Sequence, residues 1–193
     1  MKQKNIYILM GNPDKDGTLT NELADAYEKA AADAGHYVRR ANIGDLSFDP
    51  ILHKGYKVIQ ELEPDLKKVQ EDMKWADHFV LLYPVWWSAM PALLKGFFDR
   101  IWLPSFAFHF WKNGMGWDRM MTGKTARVIT LSKMPPIFIR LVFGDFTNEI
   151  SYATLGMSGY KVSLTQFGNS ESCTPARKAR YLKAIASLAR AAK

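Results

Sequence analysis

The chain has 193 residues, of which 48% are hydrophobic and 23% are charged, a composition that is ordinary for a globular protein and excludes a disordered or fibrous one. A single cysteine, Cys173, excludes an intrachain disulfide and is consistent with a reducing compartment. The net charge is +7. No apolar run approaches the ~20 residues that span a bilayer, and the first residues lack the features of a signal peptide, so we expect a cytoplasmic protein. The length predicts one domain over residues 1–193.

Short apolar runs alternate with amphipathic stretches from one end of the chain to the other. The predicted strands are residues 5–10, 37–41, 77–83, 125–131 and 160–165, and the predicted helices are residues 18–34, 64–75, 91–101, 136–157 and 175–192. Between them, residues 42–60 are predicted to be irregular, and residues 103–121 are predicted to be an aromatic-rich loop. This alternation favours a parallel α/β sheet, and five strands suit the flavodoxin-like three-layer sandwich with strand order 2-1-3-4-5.

In such a sheet, ligands bind beyond the carboxyl ends of the strands, which directs attention to residues 11–21, 84–91 and 131–136. The first of these segments ends at a predicted helix start, where free N–H groups and the hydroxyls of Thr18 and Thr20 suit a phosphate. Thr18 acting only as a helix cap is the alternative. The segment matches neither a P-loop nor a dinucleotide-binding glycine pattern.

Two adjacent tryptophans, Trp86 and Trp87, directly follow the third predicted strand. Exposed indole rings are unfavourable in water, so we expect them to pack on something flat and apolar, either the protein core or a ligand. Their spacing alone does not decide between the two. A flavin ring suits such a turn, because backbone N–H groups can bond its carbonyl edge while side chains flank it.

The segment over residues 76–108 resembles the NAD(P)H:quinone oxidoreductase family of flavodoxin-like flavoproteins, of the DT-diaphorase type. In that family a Trp-containing turn leads into a helix that opens Pro-Ala-Leu-Leu-Lys-Gly-Phe/Trp-Phe-Asp-Arg, and residues 91–100 read PALLKGFFDR. Weaker similarity extends across nearly the whole chain. The resemblance implies a bound flavin, with FMN favoured over FAD by the short chain, and NAD(P)H as its reductant.

The resemblance also implies which positions hold the flavin. They are Asn12, Thr18, Leu19 and Thr20 on the phosphate side, Pro84, Val85, Trp86 and Trp87 around the ring, and Leu131, Ser132, Lys133 and Met134 at the flavin edge. The sequence departs from the family at Asn12, where histidine is usual, and over residues 131–134, where well-known members carry a Thr-Thr-Gly-Gly run.

The flavin carries the chemistry in this prediction, so no catalytic side chain is assigned. Backbone N–H groups of Trp86, Trp87 or residues 131–134 are predicted to stabilise negative charge on the reduced ring. Lys133 is a further candidate for that role. The four histidines are dispersed and predict no metal site, and His109 is interpreted as structural.

The aromatic-rich loop is predicted to complete a pocket for the acceptor. In the family this segment reaches across a homodimer and lines the neighbouring subunit's pocket, and the pocket residues it implies here are Trp87, Phe106, Phe108 and Phe110. Phe108 and Phe110 match positions that are tyrosines in well-studied members, so the pocket would stack an aromatic acceptor without hydrogen-bonding it. The expected partners are a second copy of the chain and a small aromatic molecule.

The expected function is two-electron (hydride) reduction of a quinone or similar acceptor by NAD(P)H, in a ping-pong sequence. Three alternatives stay open: an electron-carrying flavodoxin, which the charge of +7 disfavours; a binding module, either a regulatory partner of a transport protein or a nucleic-acid binder; and a nitro- or azo-reductase. Six cations follow Pro175, and their helical spacing among apolar residues favours a solvated helix face over a patch for nucleic acid or anionic lipid. We therefore expect no nucleic-acid partner and no membrane span.

Overall fold

A computed structural model describes residues 2–112 and 114–193. The strands are β1 (Asn5–Met10), β2 (Tyr37–Asn42), β3 (His78–Pro84), β4 (Phe108–Phe110), β5 (Trp117–Arg119), β6 (Thr125–Leu131) and β7 (Lys161–Phe167). The α-helices are α1 (Leu19–Asp33), α2 (Pro64–Trp75), α3 (Ala92–Ile101), α4 (Pro136–Phe143) and α5 (Pro175–Ala191). A π-helical segment, Glu149–Gly156, precedes β7.

Five strands pair in parallel in the order β2-β1-β3-β6-β7, which confirms the predicted flavodoxin-like order. The central strands β1 and β3 are buried along almost their whole length because helices cover both faces of the sheet. Alternate residues of β1 point to opposite faces: Tyr7 and Leu9 pack with α2, α3 and the π-helical segment, whereas Ile6 and Ile8 pack with α1 and α5.

The helix starts follow local signals in the sequence. The Thr18 hydroxyl caps α1 by accepting the N–H of Asn21 at 3.2 Å, and Pro64 occupies the first turn of α2, where a missing N–H is harmless. In the part of the chain that the structure describes, no helix combines the length and the apolar character needed to cross a bilayer.

Two predicted elements differ from the structure. Residues 136–157, predicted as one helix, are divided at Gly144, whose φ of +83° lies in the left-handed region that favours glycine, so α4 ends there. The aromatic-rich loop contains a short antiparallel hairpin, in which Phe108 lies opposite Arg119 and Phe110 opposite Trp117. Strands of three residues are too short to produce a recognisable alternation in the sequence.

Candidate functional site

The loop after β1 leaves the sheet through a tight passage at Gly11. The Gly11 N–H donates to the carbonyl oxygen of Leu82 at 2.6 Å, and a Cβ at this position would lie 2.7 Å from Cδ2 of Leu94. Asn12 is buried, and its Oδ1 accepts the Asp14 N–H at 3.3 Å, which shapes the turn that follows. The loop is thereby held against β3 and α3.

The start of α1 presents uncommitted backbone donors. Within the described chain, no acceptor takes the N–H groups of Thr18, Leu19 or Thr20, while the Thr18 hydroxyl donates to the Asp14 carbonyl at 3.4 Å. Free N–H groups at the positive end of a helix dipole favour an anion. Thr18 is therefore a cap, and the same turn retains the geometry of a phosphate site.

Trp86 and Ala89 close a two-residue turn after β3, in which each N–H donates to the other residue's carbonyl oxygen at 2.9 Å. The two central residues, Trp87 and Ser88, have φ of +50° and +58°, the combination of a type I′ turn, in which asparagine and glycine are usual. A non-glycine residue held at positive φ costs on the order of 1 kcal/mol, and such strain concentrates at ligand sites. The N–H groups of Trp87 and Ser88 have no acceptor within residues 2–112 or 114–193.

Neither indole of this turn fills the core. Trp86 is 48% exposed and Trp87 is 101% exposed, which excludes the alternative that both rings pack inside the protein. The turn is nevertheless fixed in place, because the Val85 N–H donates to the carbonyl oxygen of Leu131 at 2.7 Å and so extends the β3–β6 pairing. The carboxyl ends of both strands are thus held side by side.

The third loop is anchored through Ser132. Its N–H donates to the Phe167 carbonyl at 2.8 Å, and its hydroxyl donates to the Met134 carbonyl at 2.7 Å. Lys133 and Met134 are exposed, and the Lys133 ammonium pairs with Glu171 at 2.9 Å. Leu131 itself is buried in the core on the α1 and α5 face.

These contacts correct the predicted set of backbone donors. The Trp86 N–H is taken by Ala89 and the Ser132 N–H by Phe167, so neither is available to a flavin. In the second and third loops, the donors without an acceptor in the described chain are the N–H groups of Trp87, Ser88, Lys133 and Met134. Ser88 was missed because a Trp-Ser dipeptide carries none of the Asn-Gly signal that marks a type I′ turn.

A cavity of about 780 Å³ lies beside α3, away from the first and third loops. Phe108 and Phe110 line it together with Tyr56, Trp102 and Met157. Of the other predicted pocket residues, Phe106 lies in the core with its ring edge-on to Trp102, and Trp87 projects from the carboxyl edge of the sheet. Within a single chain, the four residues that were predicted to share a pocket therefore do not lie together.

The residues at the carboxyl edge fit a flavin. Free N–H groups at the start of α1 suit its phosphate, the four uncommitted donors suit its polar ring edge, and the exposed indoles offer flat apolar surfaces. The three loops contain no histidine. His78 begins β3 at the other end of the strand, where burial, aided by the charges of Lys4 and Arg127, lowers its pKa to about 3.

A sequence profile of the flavodoxin-like fold family matches residues 4–188. The chain belongs to this family. The flavodoxin-like protein is 30% identical over 139 residues to the ribosyldihydronicotinamide dehydrogenase [quinone] of Mus musculus, a match that covers 65% of the chain and 56% of that relative. It spans about half the length of the curated relatives that it matches.

Solved structures share the fold along the whole chain. The NAD(P)H:quinone oxidoreductase from Methanothermobacter marburgensis superposes with a TM-score of 0.84 at 19% identity, and 100% of both chains is covered. An FMN-dependent NADH-azoreductase from Bacillus anthracis in complex with FMN gives 0.69 at 18% identity, again over 100% of both chains. The similarity to quinone oxidoreductases of this fold, predicted from the Trp-containing turn and its helix, is confirmed.

Proposed function

We propose that this flavodoxin-like protein binds FMN at the carboxyl edge of its sheet and reduces quinones or related aromatic acceptors with NAD(P)H. The observation that carries the proposal is the turn of Trp87 and Ser88, in which both residues have positive φ, both N–H groups are free within the described chain and the Trp87 indole is fully exposed. The names of the quinone-reducing and FMN-dependent proteins with which the chain shares sequence or fold support it.

In this proposal each loop has its own task. The N–H groups of Thr18, Leu19 and Thr20 hold the phosphate, while those of Trp87 and Ser88 hold the ring at its polar edge. FMN fits these tasks because its chain ends in a single phosphate. The bound flavin supplies hydride transfer, which none of the side chains in the three loops provides.

The third loop supplies the remaining donors, the N–H groups of Lys133 and Met134, which favour a ring that carries negative charge. The Lys133 ammonium can add to this stabilisation of negative charge on the ring only when its ion pair with Glu171 is broken. Both side chains of that pair are well exposed, and exposed ion pairs contribute little, so the exchange is easy.

We further propose that a second copy of the chain completes the acceptor pocket. Phe110 is 57% exposed on the β4–β5 hairpin and lies with Phe108 at the cavity beside α3, whereas Trp87 lies at the carboxyl edge. A homodimer that brings the hairpin of one copy over the turn of the other would reunite these rings. The pocket would then take reductant and acceptor in turn, which is the basis of ping-pong kinetics.

Steady-state kinetics of the FMN-loaded protein test the proposal. We expect sustained oxidation of NADH or NADPH with benzoquinone, and parallel lines in double-reciprocal plots when both substrates are varied. Intersecting lines would contradict a single shared pocket. Absence of turnover would favour an electron carrier, and a salt-sensitive DNA shift by flavin-free protein would favour a nucleic-acid binder.

An azo compound is the second candidate acceptor, because one protein that shares this fold is named an azoreductase. The pocket rings proposed here, Phe108 and Phe110, stack aromatic molecules without selecting a particular functional group. Comparing kcat/KM for benzoquinone and for an azo dye, at one NADH concentration, ranks the two. A higher value for the dye would replace the quinone as the proposed acceptor.

A further inference from the structure

Helix α4 exposes an apolar surface in one short stretch of sequence. Ile137, Phe138, Leu141, Val142 and Phe143 are between 52% and 78% exposed, and of the apolar side chains after Pro136 in this helix only Ile139 is buried. We call these five exposed residues the α4 surface. Proteins that remain free in water rarely expose contiguous apolar patches of this kind, and such patches mark interaction sites.

The α4 surface lies at the edge of the sheet where we place the flavin. The helix follows the third loop directly. Its first residues, which we call the root of α4, are fixed because Gly168 packs on them: a Cβ on Gly168 would lie 2.8 Å from both Pro135 Cα and Pro136 Cδ. The carbonyl oxygen of Gly168 accepts the Tyr181 hydroxyl of α5 at 2.6 Å. The start of α5 and the root of α4 are therefore neighbours.

Positive charge without a carboxylate partner in the described chain lies on α5, whose Tyr181 contacts Gly168 at the start of α4. In the described chain no carboxylate pairs with Arg177 or Arg180 in the first two turns of α5, whereas Arg140 of α4 pairs with Asp145 at 3.1 Å. The whole chain carries a net charge of +7. An exposed apolar helix on a protein with this net charge is complementary to an anionic lipid surface, which offers apolar chains beneath negative headgroups.

We propose that the α4 surface docks the protein on an anionic bilayer, with α4 lying in the headgroup region. Eight residues give a helix of about 12 Å, which can lie in the interface but cannot span it. A symmetric contact between two α4 surfaces would instead bring Arg177 and Arg180 towards their own copies, and like charges oppose it.

Docking on a bilayer indicates which class of acceptor the protein would reduce. Because α4 directly follows the third loop, docking would hold the flavin site close to the bilayer, and the acceptor would be a lipid-soluble quinone that reaches the flavin from the membrane. This part rests on the proposed function, whereas the docking itself does not. The two are tested by separate measurements below.

Vesicle sedimentation tests the docking. The FMN-loaded full chain is mixed with vesicles of phosphatidylcholine, or of phosphatidylcholine with phosphatidylglycerol, without NAD(P)H or acceptor. We expect binding to the anionic vesicles, and a loss of about tenfold or more for the double variant Leu141→Glu/Phe143→Glu, because it removes two apolar anchors and adds two negative charges. Arg177→Gln/Arg180→Gln should lose about fivefold for each arginine, on anionic vesicles only.

The control variant is Tyr37→Glu, which replaces an equally exposed apolar residue at the amino end of β2, and it should bind as the wild type does. Circular dichroism and flavin content establish that all variants fold. The proposal is overturned if the wild type ignores anionic vesicles, or if Leu141→Glu/Phe143→Glu binds as tightly as the wild type. It is also overturned if that variant converts a dimer to a monomer while the wild type binds no vesicles, since α4 is then a self-association face.

Turnover separates this proposal from the proposed function. The Leu141→Glu/Phe143→Glu variant should reduce water-soluble benzoquinone at the wild-type rate but should be about tenfold slower with a long-chain quinone embedded in anionic vesicles. Equal loss with both quinones would contradict a role in docking. Vesicle binding by a wild type that shows no turnover would refute the proposed function and leave the docking surface standing.

Discussion

Two residues of one short segment break the usual rule of burial in opposite ways. Arg100, near the end of α3, is a charged side chain that is only 1% exposed, and Trp87, before α3, is an apolar side chain that is fully exposed. Arg100 is compensated within the chain: its terminal nitrogens donate to both carboxylate oxygens of Glu63 and to the carbonyl oxygens of Asp49 and Glu61. Trp87 has no such compensation.

The difference indicates where the molecule needs something from outside. A buried charge whose terminal nitrogens pair with a carboxylate and with two carbonyl oxygens holds the fold together, in this case by tying residues 49–63 to α3. An exposed indole on a strained turn with free N–H groups is unfavourable until a ligand covers it. Substitutions of Arg100 should change the free energy of unfolding, and substitutions of Trp87 should change flavin affinity.

The largest effect is expected from Arg100→Leu, which removes the guanidinium donors from the Glu63 carboxylate and from the carbonyl oxygens of Asp49 and Glu61. We expect the free energy of unfolding to fall by about 3–5 kcal/mol in urea titrations, with no change in FMN affinity of the folded fraction. The matched control is Lys95→Gln on the same helix, whose exposed pair with Asp99 should be worth less than about 1 kcal/mol. Equal effects of both variants would contradict the assigned role of Arg100.

His78 extends the comparison to a buried group that stays neutral. Its folded pKa, lowered by burial to about 3, lies below the ordinary value near 6.5, so between these values the unfolded chain binds the extra proton. Stability should therefore fall as the pH drops below about 6.5, by about 1.4 kcal/mol per pH unit, or about 2 kcal/mol at pH 5. Urea titrations of His78→Gln should show a shallower slope, and an unchanged slope would refute this contribution.

Trp87→Asn tests the other side of the comparison. Asparagine tolerates positive φ, so we expect unchanged or higher stability, together with an FMN affinity about tenfold lower because the stacking ring is lost. Trp87→Phe keeps an aromatic ring and should retain most of the FMN affinity.

Ser88→Gly should stabilise the protein by about 1 kcal/mol at constant FMN affinity. Calorimetry of FMN binding and of unfolding measures both quantities, and a strong loss of stability in Trp87→Asn would show that the indole supports the fold.

The smallest effect is expected at Thr18, where fold and ligand site overlap. Thr18→Ala removes the cap of α1 and should lower the free energy of unfolding by about 1 kcal/mol. It should also weaken FMN binding but leave the binding of riboflavin, which lacks the phosphate, unchanged. Thr18→Ser should restore both properties. A matching loss of riboflavin affinity would argue against a phosphate at this helix start.

The parts of the fold that depend on local signals could be predicted from the sequence. Pro64 and Thr18 mark helix starts by their own chemistry, and the apolar runs at 5–10 and 77–83 are typical of central strands of a covered sheet. The break at Gly144 was not predicted, because a glycine in the sequence does not reveal its φ.

The candidate site was predictable in position but not in detail. The strand order places the loops after β1, β3 and β6 at one edge, which the sequence anticipates. Whether Trp87 is buried, and whether the N–H of Trp86 is free, depends on the hydrogen bonds of a folded turn. The separation of Phe106 from Phe108 likewise depends on tertiary packing, because residues two apart in an irregular segment have no fixed relation.

Amide hydrogen exchange of flavin-free protein, with and without saturating FMN, shows directly whether the flavin binds at the three loops. We expect uptake of one FMN per chain and slowed exchange at the free N–H groups of the three loops, namely those of Thr18, Leu19, Thr20, Trp87, Ser88, Lys133 and Met134. Failure to take up FMN or FAD would contradict the account, and so would protection that appears elsewhere while these seven amides exchange as before.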